Sequence, residues 1–197
     1  MLEGESNITF INIINQLILL IESIILSKKY NEFNKALDKL IEAIKITTPK
    51  FSLCNYKSFV YDSIELRILM NMALILDEIQ PLELSLEILE FCVHMVEPYE
   101  VLYPKICYNL SYVYHRLGMH KDALKYSKLG IAYCMKYRDY NGLNLLYFRK
   151  GIAEYFLGYE TFMDSLKKGI HFCEVLEQYE LRDMFVRNCK KFYNIEL

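Results

Sequence analysis

A chain of 197 residues with 53% hydrophobic and 24% charged side chains has apolar mass for one domain, or two small ones, and is no disordered tail. Only 7 Gly and 4 Pro leave too few turns for a sandwich or barrel, which favours helices. A net charge of −2 gives no overall basic field for nucleic acid.

Apolar residues recur three and four apart along almost the whole chain, the period of a helix. The spacing predicts a short tail over residues 1–7, then one all-α domain over 8–197. Nine helices are expected, over 8–28, 32–46, 55–78, 82–96, 101–117, 120–137, 140–157, 160–176 and 178–193. The first of them, Phe10 to Leu26, is apolar enough to suggest a signal or membrane segment. Glu3 and Glu5 precede it, no small-residue cleavage site follows, and Asn12, Asn15, Gln16 and Glu22 interrupt it. An amphipathic or largely buried helix is the expectation, with no membrane partner. Pro49, Pro81, Pro98 and Pro104 fall between or at the starts of these spans, and Gly118, Gly142 and Gly158 mark turns. The six cysteines, at 54, 92, 107, 134, 173 and 189, form no Cys-x-x-Cys pair, so reduced, buried thiols in a cytoplasmic protein are expected.

An internal repeat runs through the helices. The segment from His120 to Ile131 aligns without gaps to Tyr159–Ile170 and Phe33–Ile44, and more weakly to Leu82–Val93. Its fourth position reads Ala36, Ser85, Ala123 and Phe162; its eleventh reads Ala43, Cys92, Gly130 and Gly169. Small residues seven apart share one helix face and let a neighbouring helix come close. The helix before each such segment carries its own small residue, Ala73, Ser111 or Gly151, and two of these helices end at the turn glycines Gly118 and Gly158.

This succession resembles the tetratricopeptide repeat, although the early Trp of that pattern is absent and Phe162 departs from the small column. The resemblance implies a right-handed superhelix of about four helical hairpins plus a closing helix, with the first helix of each pair lining a concave groove. One position of each first helix then faces the groove: Glu22 in the first pair, followed by Asn71, Asn109, Arg149 and Asn188, spaced 38, 40 and 39 residues apart. Carboxamides both donate and accept hydrogen bonds, and a guanidinium holds a carboxylate, so this column suits a peptide backbone and one acid group. Tyr108, Tyr112, His115, Phe148 and Tyr155 lie on the same faces and would supply apolar pockets. Asn in a solenoid can instead bond one pair to the next, and aromatics there often serve packing between helices.

Over residues 101–158 the likeness narrows. Tyr103-Pro104, Tyr108-Asn-Leu110, Leu117-Gly118, Gly130-Ile-Ala-Tyr-Cys134, Lys150-Gly-Ile-Ala-Glu154 and Leu157-Gly158 resemble the C-terminal sensor half of the peptide-pheromone-responsive regulators of Gram-positive bacteria, the PlcR, NprR and Rgg-like group. That resemblance implies a cytoplasmic, homodimeric sensor of a short signalling peptide in transcription regulation and quorum sensing. Nothing before residue 30 suits a DNA-binding helix-turn-helix, so no direct nucleic-acid contact is expected of these residues. The alternative is a stand-alone adaptor between proteins. Phosphate-loop, dinucleotide, nucleophile-elbow and zinc-helix patterns are all missing, so neither an enzyme nor a cofactor or metal is expected. His115 and His120 flank a turn glycine and, at helical spacing, are expected not to converge.

Overall fold

A computed structural model describes the chain from Leu2 to Leu197 apart from Pro98, and its side chains from Asn7 onward. Met1 and Pro98, the latter expected between two helices, lie outside the described residues. The contacts divide the chain into two compact units, residues 1–96 and 97–197.

The first unit holds α1 (Leu2–Lys29), α2 (Phe33–Lys45), α3 (Ser63–Ile79) and α4 (Leu82–Met95), with a 3-10 turn at Tyr56–Ser58. The second holds α5 (Tyr103–Arg116), α6 (His120–Tyr137), α7 (Leu143–Phe156), α8 (Phe162–Val175) and α9 (Tyr179–Tyr193). Within each unit every helix packs on its neighbour in sequence, while α1 also touches α3 and α5 touches α7. First helices of successive pairs therefore lie side by side, the arrangement of stacked hairpins.

The small columns are the contact lines. Ala36, Ala43, Ser85, Cys92 and Ala123 are fully buried. A Cβ added to Gly169 would sit 3.0 Å from the backbone oxygen of Asn144 and 3.1 Å from the nitrogen of Phe148, so α8 rests directly on the backbone of α7. Phe162 breaks its column without cost because it opens α8, where its ring meets Tyr155 edge-on at 5.3 Å. A Cβ on Gly151 would lie 2.7 Å from Leu166 Cγ and 3.0 Å from Leu166 N. Gly151→Ala is therefore expected to destabilise the protein by about 1–3 kcal/mol in urea unfolding, although alanine favours an isolated helix by about 1 kcal/mol over glycine.

Two local expectations fail. The helix expected over 55–78 is broken, and α3 starts only at Ser63. Asp62 caps it: its Oδ1 accepts from Glu65 N and Glu65 Oε2 accepts from Asp62 N, both at 2.9 Å. Glu65, buried, also accepts from the hydroxyls of Thr47 (2.5 Å) and Thr48 (3.2 Å), which ties the end of α2 to the start of α3.

The second failure is α1. It begins at Leu2 rather than 8, and of the two forms expected it is not the largely buried one: it has one inward and one exposed face. The face it turns inward carries Gln16, Leu20, Ser23 and Ser27, with Gln16 Nε2 donating to Thr47 Oγ1 at 2.9 Å. Seven of its eight isoleucines are exposed, and Ile13 is half-buried. By length and composition Asn7–Lys29 could cross a membrane.

Five of the six thiols are buried, only Cys54 is exposed, and no disulfide occurs among the described residues. Burial pushes Cys92 and Cys107 up to about 12, and Cys134 and Cys189 to about 11, which leaves these thiols protonated and inert.

Candidate functional site

Helix spacing puts Tyr108, Tyr112 and His115 on one stripe of α5, and Arg149 and Phe156 on one stripe of α7. The two stripes meet at Arg149. Its guanidinium lies 4.4 Å from the ring centroid of Tyr112 and 5.3 Å from that of Tyr108, and Nη2 donates to Tyr108 Oη at 3.3 Å. These ring faces hold the cation in place. Arg149 has no carboxylate partner among the described residues, and its Nε is buried without any hydrogen bond.

Beyond Arg149 the stripe ends in a cluster that the sequence did not foretell. His115 and His120 do converge: Nδ1 lies 3.3 Å from Nδ1, and the ring centroids are 5.2 Å apart. The chain reverses at Gly118 (φ +74°), which returns the first turn of α6 against the last turn of α5. Phe156 stacks on His120 at 4.4 Å, and Tyr193 Oη lies 3.0 Å from His115 Nε2. One proton shared between the imidazoles fixes the rest. If His115 Nδ1 carries it, Nε2 accepts from Tyr193; if His120 carries it, His115 Nε2 donates to Tyr193.

Burial, then the nearby charges of Arg149 and His120, push the His115 imidazole down to about 4, and burial also lowers His120. An unfolded chain thus takes up a proton near pH 6.5 that folded His115 refuses until about pH 4. Stability is complete above pH 6.5 and falls as the pH drops toward 4. With solvent access discounted, the loss is about 1–2 kcal/mol. Urea unfolding at pH 7 and at pH 4.5 should show it, and His115→Gln should flatten that part of the slope.

Asn109 is 7% exposed, and its carboxamide makes no hydrogen bond among the described residues. Asn188 is half-buried on α9, one turn after Phe185, and likewise has no side-chain partner. Tyr155 is at the rim, its hydroxyl donating to Tyr193 O at 3.2 Å. Phe148 lies behind the site in the core, stacked on Phe185. Asn71 belongs to the first unit, where its Nδ2 donates to Arg67 O within α3 at 2.8 Å. It lines a cavity of about 130 Å³ there, together with Ser23, Ser27 and Glu78. Glu22 pairs with Lys39 at 3.1 Å on the surface. His120, Phe156 and Tyr193 were missed. A Leu-Gly turn after Phe156 was a usable hint, whereas Tyr193 is 78 residues from His115 and gave none.

Lys150, Glu154 and Ser165 make a buried network: Lys150 Nζ lies 2.6 Å from Glu154 Oε1, and Ser165 Oγ donates to Glu154 Oε2 at 2.6 Å. Burial alone would raise the Glu154 carboxyl, but the hydrogen bonds from Lys150 and Ser165 outweigh it and hold it low. No group of three or more His, Cys, Asp or Glu residues among the described residues is arranged to hold a metal ion.

No protein-family model and no curated protein matches the chain. Solved structures do. A putative kinesin light chain of Podosopora anserina with nearly identical TPR-like repeats superposes with a TM-score of 0.60 at 13% identity, over 79% of this chain and 75% of the other. BtubC (BKLC) from P. vanneervenii gives 0.63 at 12% identity, over 84% and 64%. Bacillus thuringiensis PlcR, in complex with the peptide PapR7 and DNA, gives 0.59 at 15% identity, over 87% and 74%. At such identities the likeness speaks for the fold: this chain is an all-α protein of TPR-like helical hairpins.

Proposed function

We propose that the chain is a peptide-binding domain whose ligand lies along α5, α7 and α9. Arg149 receives a carboxylate, the free amides of Asn109 and Asn188 hold backbone groups, and Tyr108, Tyr112, His115 and Tyr155 take apolar side chains, with Phe148 supporting them from the core. Asn71 would serve the same purpose within the first unit. The observation that carries this reading is Arg149: a half-buried cation fixed by two tyrosines, with no acid partner among the described residues. A protein of this fold, PlcR, is seen with a peptide bound. In the finer form of the proposal, the peptide is a signal imported into the cytoplasm, the domain pairs with a second copy, and binding repositions DNA-binding domains that these residues do not contain.

The test is a titration of short apolar peptides with free C termini, followed by tyrosine fluorescence and by the melting midpoint. A ligand of the native state raises the midpoint as its concentration grows, by about 2.7 kcal/mol of stability at a hundredfold excess over Kd. Asn109→Ala should weaken binding by about 1–3 kcal/mol and leave the midpoint of the free protein nearly unchanged. If Asn109→Ala collapses the fold instead, that amide is structural. If no short peptide binds but a folded partner does, the chain is an adaptor.

A further inference from the structure

Many exposed apolar side chains outside the site lie on α1, and their pattern is ordered. Ile11, Ile14, Ile18, Ile21 and Ile25 are spaced three, four, three and four residues apart, and each is 39–56% exposed. This is the a/d seam of a coiled coil written in one residue type. Phe10, Leu17 and Ile24, also exposed, flank the seam along one side. The opposite face of the helix is the one that packs inward, with Gln16 and Ser23 fully buried. The seam therefore has no partner within the first unit.

We infer that α1 is a self-association surface, pairing antiparallel with α1 of a second copy of this chain. A two-fold pair is the commonest symmetry for self-assembly. The ends of the helix decide its direction. The last turn bears Lys28 and Lys29. Parallel pairing would bring the lysines of the two copies together, and antiparallel pairing keeps them a helix length apart. The antiparallel register that alternates the two seam positions sets Ile11 level with Ile21 and Ile14 level with Ile18. Roughly half-exposed side chains along the helix give on the order of 700 Å² of apolar surface, close to the ~800 Å² each partner contributes to a stable interface. A bilayer suits the face less well. A helix lying on a membrane carries basic residues along its polar side, whereas Gln16, Ser23 and Ser27 of α1 are turned inward and its lysines stand only at one end.

This inference deepens the pairing of copies in the proposed function and is independent of the peptide site, which lies in the other unit. Sedimentation equilibrium of the full chain at tens of micromolar should give twice the 23.5 kDa of one chain. Ile18→Lys, and separately Ile14→Lys with Ile21→Lys, should give the single mass with an unchanged helical circular dichroism spectrum, because these side chains are exposed in the single copy. For direction, Ile11→Cys and Ile21→Cys chains, both with Cys54→Ser, are mixed and mildly oxidised; the mixed disulfide should dominate. A monomeric parent chain, a dimer that survives both lysine variants, preferential self-linked disulfides, or a monomer that partitions into phosphatidylcholine vesicles through α1 would each overturn the inference. Peptide binding that persists in the monomeric variants separates its fate from that of the groove.

Discussion

Phe185→Ala is expected to lower the stability of the second unit by about 3–5 kcal/mol. Phe185 is 1% exposed, and its ring stacks on Phe148 at 4.0 Å with the planes 7° apart. Both belong to one buried cluster with Ile152, Leu166, Cys173, Cys189 and Ile195. α9 closes the stack and has α8 as its principal neighbour, and it buries only Phe185 and Cys189. A terminal helix held by so few side chains cannot redistribute the loss of the larger one. Because Phe148 precedes Arg149 and Tyr193 ends α9, loosening this cluster should also part Tyr193 from His115. Calorimetry should show a fall in Tm of more than about 10 °C, with amide exchange in α9 accelerated most. Phe192→Ala is the control: at 62% exposed it should change stability by less than about 0.5 kcal/mol. A similarly small effect from Phe185→Ala would mean that the cluster does not hold the closing helix.

The hairpins were legible because two independent signals agreed. The 3-4 apolar period gave the helices, and small residues seven apart gave the faces on which they stack. Where only one signal was read, the expectation slipped. Phe59, Val60 and Tyr61 fit the helical period, so the break before α3 went unseen, although Asp62 and Glu65 spelled a capping box. In α1 the period located the helix but could not say which face the unit would cover. The unit covers the polar one, where Gln16 Nε2 donates to Thr47 and Thr47 to Glu65, although Gln16 Oε1 and Ser23 Oγ stay buried there without partners. The site divides in the same way. Tyr108, Tyr112 and Arg149 were visible as helix stripes, since their meeting depends only on adjacent first helices. The pairing of His115 with His120 depends on a left-handed glycine, and that with Tyr193 on the closing helix, neither of which helical spacing encodes.

Arg149→Gln should weaken binding of a free-carboxylate peptide by about 2–4 kcal/mol, on the order of 30- to 1,000-fold. A guanidinium already flattened on Tyr112 and bonded to Tyr108 loses little freedom on binding, so most of a charge-assisted hydrogen bond appears as affinity. Three comparisons make the assignment specific. Amidating the peptide C terminus should cost as much as the substitution, and amidation together with Arg149→Gln little more than either alone, because both remove the same pair. Arg149→Lys should recover only part of the loss, since an ammonium cannot hold a carboxylate bidentately between two ring faces. The free protein should keep its fold, as Arg149 is only half-buried and has no carboxylate partner to strand. His115 supplies a readout that needs no ligand. The charge of Arg149 is one of the causes that lower its imidazole, so Arg149→Gln should move the His115 NMR titration upward. Unchanged peptide affinity beside a shifted His115 titration would keep the electrostatic picture of the cluster and remove Arg149 as the carboxylate anchor.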